Sequence, residues 1–311
     1  LQQAASFIAH TEANNGAAVL VLAADNYNKE VQEHGNADHQ RVPRLNVAPL
    51  DPHIHAPGTV LNDQFTGADP WKTFQAQLKA QDPPLRALGI TDYFLVDTYE
   101  QARKKSVAGE FEGIDLLFPN VEIRLSIETA SSSPINAHLL FSPEDDDHIE
   151  RIRRLLSGFS FRYLKDDFRC ERSELIRLGK KHDATVVNDA AALAVGANQF
   201  KISFEALQES WETNDWFRNN CLVAVAGGEK DGTSGLRDEA SSFAAFRKSI
   251  EGFAHIIFSA NPKQIAFYLG QGAATVDDLN AKWVVKSRAC TGRTLTLTVR
   301  SASQRWIGIV G

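Results

Sequence analysis

The chain has 311 residues, 43% hydrophobic and 23% charged, with a formal net charge of -6. That length suits one large α/β domain or two small ones, and the acidic balance argues against a general nucleic-acid or membrane-surface binder. Cys170, Cys221 and Cys290 are odd in number and far apart, so neither a disulfide framework nor a Cys-x-x-Cys knuckle is expected, and a reducing, cytoplasmic setting is the default. No apolar run reaches the ~18–20 residues of a membrane-spanning helix. The run from Ala17 to Ala24 lacks the basic flank of a signal peptide. The sequence contains no methionine, so residue 1 is read as something other than a natural translation start, and the chain as a processed, fused or cloned piece.

Taken in order, Leu1 to Ala13 reads as a short helix and Ala17 to Ala24 as an apolar run of strand length. Asn26 to Arg44 is polar, and its His34 and His39 read as solvated loop residues. Residues 1–45 thus form an extension before a regular domain at 46–283. There, Trp71, Phe74 and Leu78 recur at helical spacing. Pro83-Pro84 ends that helix, and a strand follows over Leu85 to Ile90. Thr98 to Ala108 is a helix, its later half basic as the macrodipole favours. Ile114 to Leu117, Val121 to Leu125 and Ile135 to Phe141 read as strands. A helix runs from Ser142 to Leu156, acidic at its start and basic at its end. Helices over Glu171 to His182, Phe204 to Phe217 and Ser241 to Phe253 are followed by strands at Thr185 to Val187, Cys221 to Ala226 and His255 to Ser259. Further helices cover Pro262 to Leu269 and Val276 to Trp283. About seven strands alternating with helices predict a mostly parallel sheet, close to a closed, distorted (β/α)7 TIM-like barrel with its chemistry at the C-terminal strand ends.

The first chemical signal is Asp51-Pro52-His53-Ile54-His55. Two histidines one residue apart on an extended chain point to the same side, as a divalent metal requires. Polar residues at other strand ends join them: Asp92 and Tyr93, Glu122 between apolar neighbours, His138 between Ala137 and Leu139, and Asn188-Asp189. A glycine-rich segment follows, Gly227-Gly228-Glu229-Lys230-Asp231. It is not a Walker A loop, lacking the Gly-Lys-Ser/Thr ending. Each of these has an ordinary alternative. Asp92 and Asp189 suit helix caps, and His138 suits a satisfied core histidine. A carboxylate inside an apolar strand, as at Glu122, must be paired or coordinated. Together they read better as a cluster of His53, His55, Asp92, Glu122 and His138. Its nitrogen and oxygen donors suit Zn²⁺, Mn²⁺ or Fe²⁺, and one carboxylate among imidazoles suits a two-metal hydrolytic centre.

The order of Asp51-Pro52-His53-Ile54-His55-Ala56-Pro57-Gly58-Thr59, Gly89-Ile90-Thr91-Asp92-Tyr93, Phe118-Pro119-Asn120-Val121-Glu122 and Ile135-Asn136-Ala137-His138 resembles the polymerase-and-histidinol-phosphatase (PHP) superfamily of metallophosphoesterases. It is most similar to the PHP-like domain of TrlF-type AAA-like ATPases, over about residues 48–283. The resemblance implies a (β/α)7-type barrel holding two divalent ions, with His53, His55 and Glu122 on the first and Glu122 bridging to a second held by His138. Asp189 stands near where a further family histidine belongs and is read as a replacement ligand. Two departures follow. Tyr93 stands where the family has histidine. The family's closing Asp-x-His pair, expected around 292–296, is replaced by Gly292-Arg293-Thr294-Leu295-Thr296. The tail from Val284 to Gly311 contains no Asp, Glu or His and reads as a shifted frame or a replaced end.

The expected activity is broad metal-dependent hydrolysis of small phosphate mono-, di- or triesters. Asp92 is expected as a ligand or an orienting group, Tyr93 as a donor to a phosphoryl oxygen, and Arg124, Lys230 and Lys263 as phosphate-binding cations. The rival readings are a non-catalytic or regulatory module of a nucleic-acid-linked ATPase and a metal-dependent lactone or carboxylic ester hydrolase. Self-assembly is left open.

Overall fold

A computed structural model of the chain describes residues 6–9, 19–23, 48–128, 134–227, 233, 244–259, 261–268, 299–300 and 306–307. Its organising layer begins with β3, Ala48–His55, which pairs in parallel with β4, Ala87–Tyr93, and β4 in turn with β5, Leu116–Glu128. The connections carry helices α1, Pro70–Lys79, and α2, Asp97–Val107. Pro70 and the Asp69 side chain, which accepts from the Lys72 N–H, set the start of α1. The thirteen-residue β5 runs straight through Pro119-Asn120, where the sequence predicts a break. Proline's fixed φ is tolerated in extended chain at the loss of one donor.

β6, Pro134–Phe141, reverses direction. It is antiparallel to β5 and to β9, Cys221–Ala226, and β9 is parallel to β10, Ile256–Phe258. Strands β3, β4, β5, β6, β9 and β10 thus form a curled half-barrel of six strands in a mixed α/β fold. Among the described residues no pairing joins β10 back to β3. β1, Ser6–Ala9, and β2, Val19–Ala23, pair antiparallel with each other, and β2 with β3. Ser6–Ala9 is therefore extended where the sequence suggests helix.

Alternation along the strands divides the core. Leu88, Ile90, Val121, Ile123, Leu139 and Val223 face the helices in the main apolar cluster, whereas Leu50, Ala87, Phe118, Leu140, Ala224 and Ile256 form a smaller cluster inside the curl.

After α3, His148–Ser157, comes a hairpin that sequence patterning missed, β7 Ser160–Tyr163 with β8 Asp166–Arg169. Then α4, Arg172–His182, and α5, Asp189–Gln199, pack directly on each other. A Cβ on Gly179 would lie 1.8 Å from the Ala192 carbonyl oxygen, and one on Gly196 1.8 Å from that of Leu175. The predicted strand at Thr185–Val187 does not form: Thr185 ends a turn and Val186 and Val187 are irregular. The Asp183 carboxylate accepts from both the N–H and the hydroxyl of Thr185, a side-chain turn that competes with a ladder. Phe204 to Phe217 divides into α6, Phe204–Thr213, and α7, Asp215–Asn220, the latter capped by Asn214. α8, Ala244–Phe253, and α9, Pro262–Tyr268, flank β10. β11, Val299–Arg300, and β12, Trp306–Ile307, pair antiparallel. The predicted helix at 276–283 and the altered family motif at 292–296 lie outside the described residues. No helix among those described is long and apolar enough to cross a membrane.

Candidate metal centre

The centre is built by a bulge and a cross-strand row. Between Asp51 and Ile54 the register of β3 against β4 shifts by one residue, three steps on β3 facing two on β4. A bulge of this kind bends the strand and re-aims side chains. Here it brings the Pro52 carbonyl so close to Gly89 that a Cβ there would lie 2.1 Å from the oxygen. The His53 N–H donates to Asp51 Oδ1 at 3.0 Å, and the Nε2 atoms of His53 and His55 lie 3.2 Å apart. Across the sheet, Tyr93, Glu122 and His138 are direct partners on β4, β5 and β6, so their side chains share one face. Glu122 Oε2 reaches to 3.4 Å from His53 Nε2 and 3.5 Å from His55 Nε2. His53, Glu122 and His138 each offer a donor atom within 4.8 Å of the others. The Phe258 ring closes one side, its centroid 4.9 Å from that of His138 and 6.1 Å from that of His53.

Burial sets the charges. Glu122 and His138 are almost fully enclosed. Burial pushes the Glu122 carboxyl up, but His138, His53 and His55 outweigh it and hold the group at about 2. Burial lowers His138 to about 3 against the pull of Glu122. Burial, then the neighbouring His53, lowers His55 to about 4. At neutral pH this leaves an ionised carboxylate beside the neutral imidazoles of His55 and His138, the protonation state that a metal requires. Glu122 Oε1 accepts from Asn136 Nδ2 at 2.8 Å, whereas Oε2 is buried with no hydrogen bond. A buried carboxylate oxygen without a donor is costly. Atoms bound about 2.1 Å from one tetrahedral ion lie roughly 3.4 Å apart, which matches the 3.2, 3.4 and 3.5 Å spacings of His53, His55 and Glu122. By donor type, charge and spacing, these residues fit a divalent ion.

The other residues singled out in the sequence fare differently. Asp92 is not among the converging groups. Period-two alternation turns it to the helix side of β4 while Tyr93 faces Glu122. There Asp92 Oδ1 accepts from Thr59 Oγ1 at 3.0 Å and from the N–H groups of Val60 and Tyr93 at 2.8 Å each, and Oδ2 accepts from Thr98 Oγ1 at 2.6 Å. It therefore pins the loop after His55, and Thr59 Oγ1 in turn lies 3.4 Å from His55 Nδ1. Asp189 is a correction. It starts α5 on the surface, 70% exposed and paired with Lys180 at 2.7 Å, because the strand expected to carry it inward does not form. Tyr93 stacks on His55, ring centroids 5.6 Å apart, and accepts from Asn62 Nδ2 at 2.9 Å. Burial, then the nearby Glu122, keeps its hydroxyl protonated well above the usual range. Arg124 lies on the same face two residues after Glu122. Its guanidinium sits over the Tyr93 ring at 5.3 Å and donates to Asn198 Oδ1 at 2.8 Å, while Nε is buried with no hydrogen bond. Lys263 lies exposed in the first turn of α9, and Lys230 lies outside the described residues. Asn136, which holds Glu122, and Asn120, which contacts His138, were not singled out as functional. Their signal is the i, i+2 spacing from His138 and Glu122 that puts them on the same face.

No family model matches the chain, and a search of curated proteins finds no match.

Proposed function

We propose that this chain is a metal-dependent hydrolase of phosphoric esters, in which His53, His55, Glu122 and His138 hold divalent ions at the mouth of a curled sheet of the (β/α)7 kind. The observation that carries the reading is Glu122 Oε2, a buried, ionised and unbonded oxygen ringed by imidazole nitrogens. Bound divalent ions supply Lewis-acid polarisation and water of lowered pKa. The chain supplies the rest. Arg124, held by Asn198 and the Tyr93 ring, offers a fixed guanidinium to an anionic oxygen of the substrate. The protonated Tyr93 hydroxyl, positioned by Asn62, donates to a second oxygen. Phe258 and Tyr93 exclude water from two sides of the site. Asn136 holds the Glu122 carboxylate in orientation.

The test combines elemental analysis with turnover. Purified protein is assayed on p-nitrophenyl mono-, di- and triesters before and after dialysis against a chelator, then with Zn²⁺, Mn²⁺ or Fe²⁺ restored. Activity should vanish with the metal and return with it. Turnover that persists in metal-free protein would refute the proposal.

A further inference from the structure

We infer that Asn120 is a positioning residue that presets this centre by deciding which ring nitrogen of His138 faces the cluster. The inference rests on the reading of the cluster as a metal centre. Asn120 is buried on β5 on the same face as Glu122. Its Nδ2 donates to the Pro52 carbonyl at 2.8 Å and to Thr91 Oγ1 at 3.0 Å. Chemistry fixes the amide's orientation: a carbonyl oxygen can only accept, and the Thr91 hydroxyl directs its own hydrogen to the Gly89 carbonyl at 3.2 Å. The amide oxygen is left facing His138, whose Nδ1 lies 3.3 Å away. An oxygen acceptor there demands a hydrogen on Nδ1. Neutral His138 therefore keeps Nε2 bare, as a lone pair for the cluster.

Asn120 also reaches three strands at once. From β5 it grips the β3 bulge that aims His53, a β4 hydroxyl, and the ring carried by β6. The spacing between His53 and His138 is thus set before any ligand arrives. Among residues of this size only a carboxamide provides two donors and one acceptor in these directions. Aspartate would oppose an anionic oxygen to the Pro52 carbonyl, and alanine would leave Pro52, Thr91 and His138 without their partner.

The experiment has two arms. In metal-free wild-type protein, long-range ¹H–¹⁵N correlation spectra should show His138 protonated on Nδ1 and bare on Nε2. In the second arm, Zn²⁺ affinity is measured by chelator competition for wild type, Asn120→Ala and Asn120→Asp, with circular dichroism confirming the fold. Both variants should bind about 10–100-fold more weakly. Wild-type His138 protonated on Nε2, or a folded Asn120→Ala binding within about two-fold of wild type, would overturn the inference. If a variant does not fold, the wild-type spectrum decides. If wild-type protein binds no metal, the hydrolase reading fails while the spectrum still judges Asn120.

Discussion

Replacing Asp92 separates its role as a loop anchor from that of a metal ligand. Its carboxylate is 1% exposed and accepts four hydrogen bonds, two of them from backbone N–H groups that cannot turn elsewhere. At about 1–3 kcal/mol for each buried donor left unmet, the two backbone N–H groups alone should make Asp92→Ala cost about 2–6 kcal/mol. Asp92→Asn keeps Oδ1 for its three donors and requires only that the Thr98 hydroxyl reverse, so it should fold. The asparagine variant also isolates the charge. Burial, opposed by the four hydrogen bonds, raises Asp92 from 3.8 to about 6. The folded state therefore holds a proton that the unfolded state releases across this window. The resulting stability is fully present below pH 3.8 and is lost as pH rises through 6. At about 1.4 kcal/mol per pH unit, the shift is worth about 3 kcal/mol. Urea unfolding at pH 7 and pH 4, in chelator so that metal adds no linkage of its own, should show wild type gaining about 2.4 kcal/mol of that on Asp92→Asn as pH falls. A difference between the two proteins that does not change with pH would refute the desolvated carboxylate. Bound metal lost from Asp92→Asn in direct proportion to the substitution, without change in fold, would restore Asp92 as a ligand.

Gly89→Ala places a methyl group 2.1 Å from the Pro52 carbonyl oxygen and should cost about 3 kcal/mol or more, read as a fall in Tm with weakened metal binding. Gly109→Ala, at a φ of +82° with open space around it, should cost only about 1–2 kcal/mol. Equal melting temperatures would show that the bulge does not press on Gly89. Arg124→Gln should reduce kcat/KM on an anionic diester by about 10–100-fold, the worth of a charge-assisted hydrogen bond, with metal content unchanged and an uncharged triester little affected. An equal loss on both esters would remove Arg124 as the anion-binding group.

The residues that the sequence disclosed are those whose chemistry conflicts with their local pattern. Glu122 and His138 interrupt apolar strands, and His53 and His55 repeat at strand period, so each marks itself without knowledge of the fold. For Asp92 and Asp189 a strand end is not sufficient to make a ligand, although Asp92 keeps an orienting position through Thr59 beside His55. At Asp92 the face decides, and the alternation that brings Tyr93 inward sends Asp92 outward. At Asp189 the strand itself is missing, since Thr185 to Val187 is too short for periodicity to distinguish it from the turn that Asp183 closes. Asn120, Asn136 and Thr59 are common polar residues in unremarkable positions. The i, i+2 spacing puts Asn120 and Asn136 on the face of Glu122 and His138, but their roles depend on partners up to 68 positions away, as between Asn120 and Pro52, which that spacing does not identify.

The reversal of β6 departs from the mostly parallel sheet that the sequence pattern predicts, and it bears on the site more than barrel closure does. Only five positions separate Glu128 from Pro134, whereas a parallel crossover needs about a dozen residues or more. A hairpin is therefore forced, and its register makes Glu122 and His138 direct partners. His53 and His55 come from β3, two strands away, and are aimed by the bulge that Gly89 and Asn120 accommodate. All four donors thus come from β3, β5 and β6, and the connection among them passes only through β4. A centre assembled this way needs no strand beyond β6 to bring its donors together. What β10 contributes is Phe258, an apolar wall against the two histidines. The half-barrel is accordingly sufficient to shape the donor set, and the far strands govern what else approaches it.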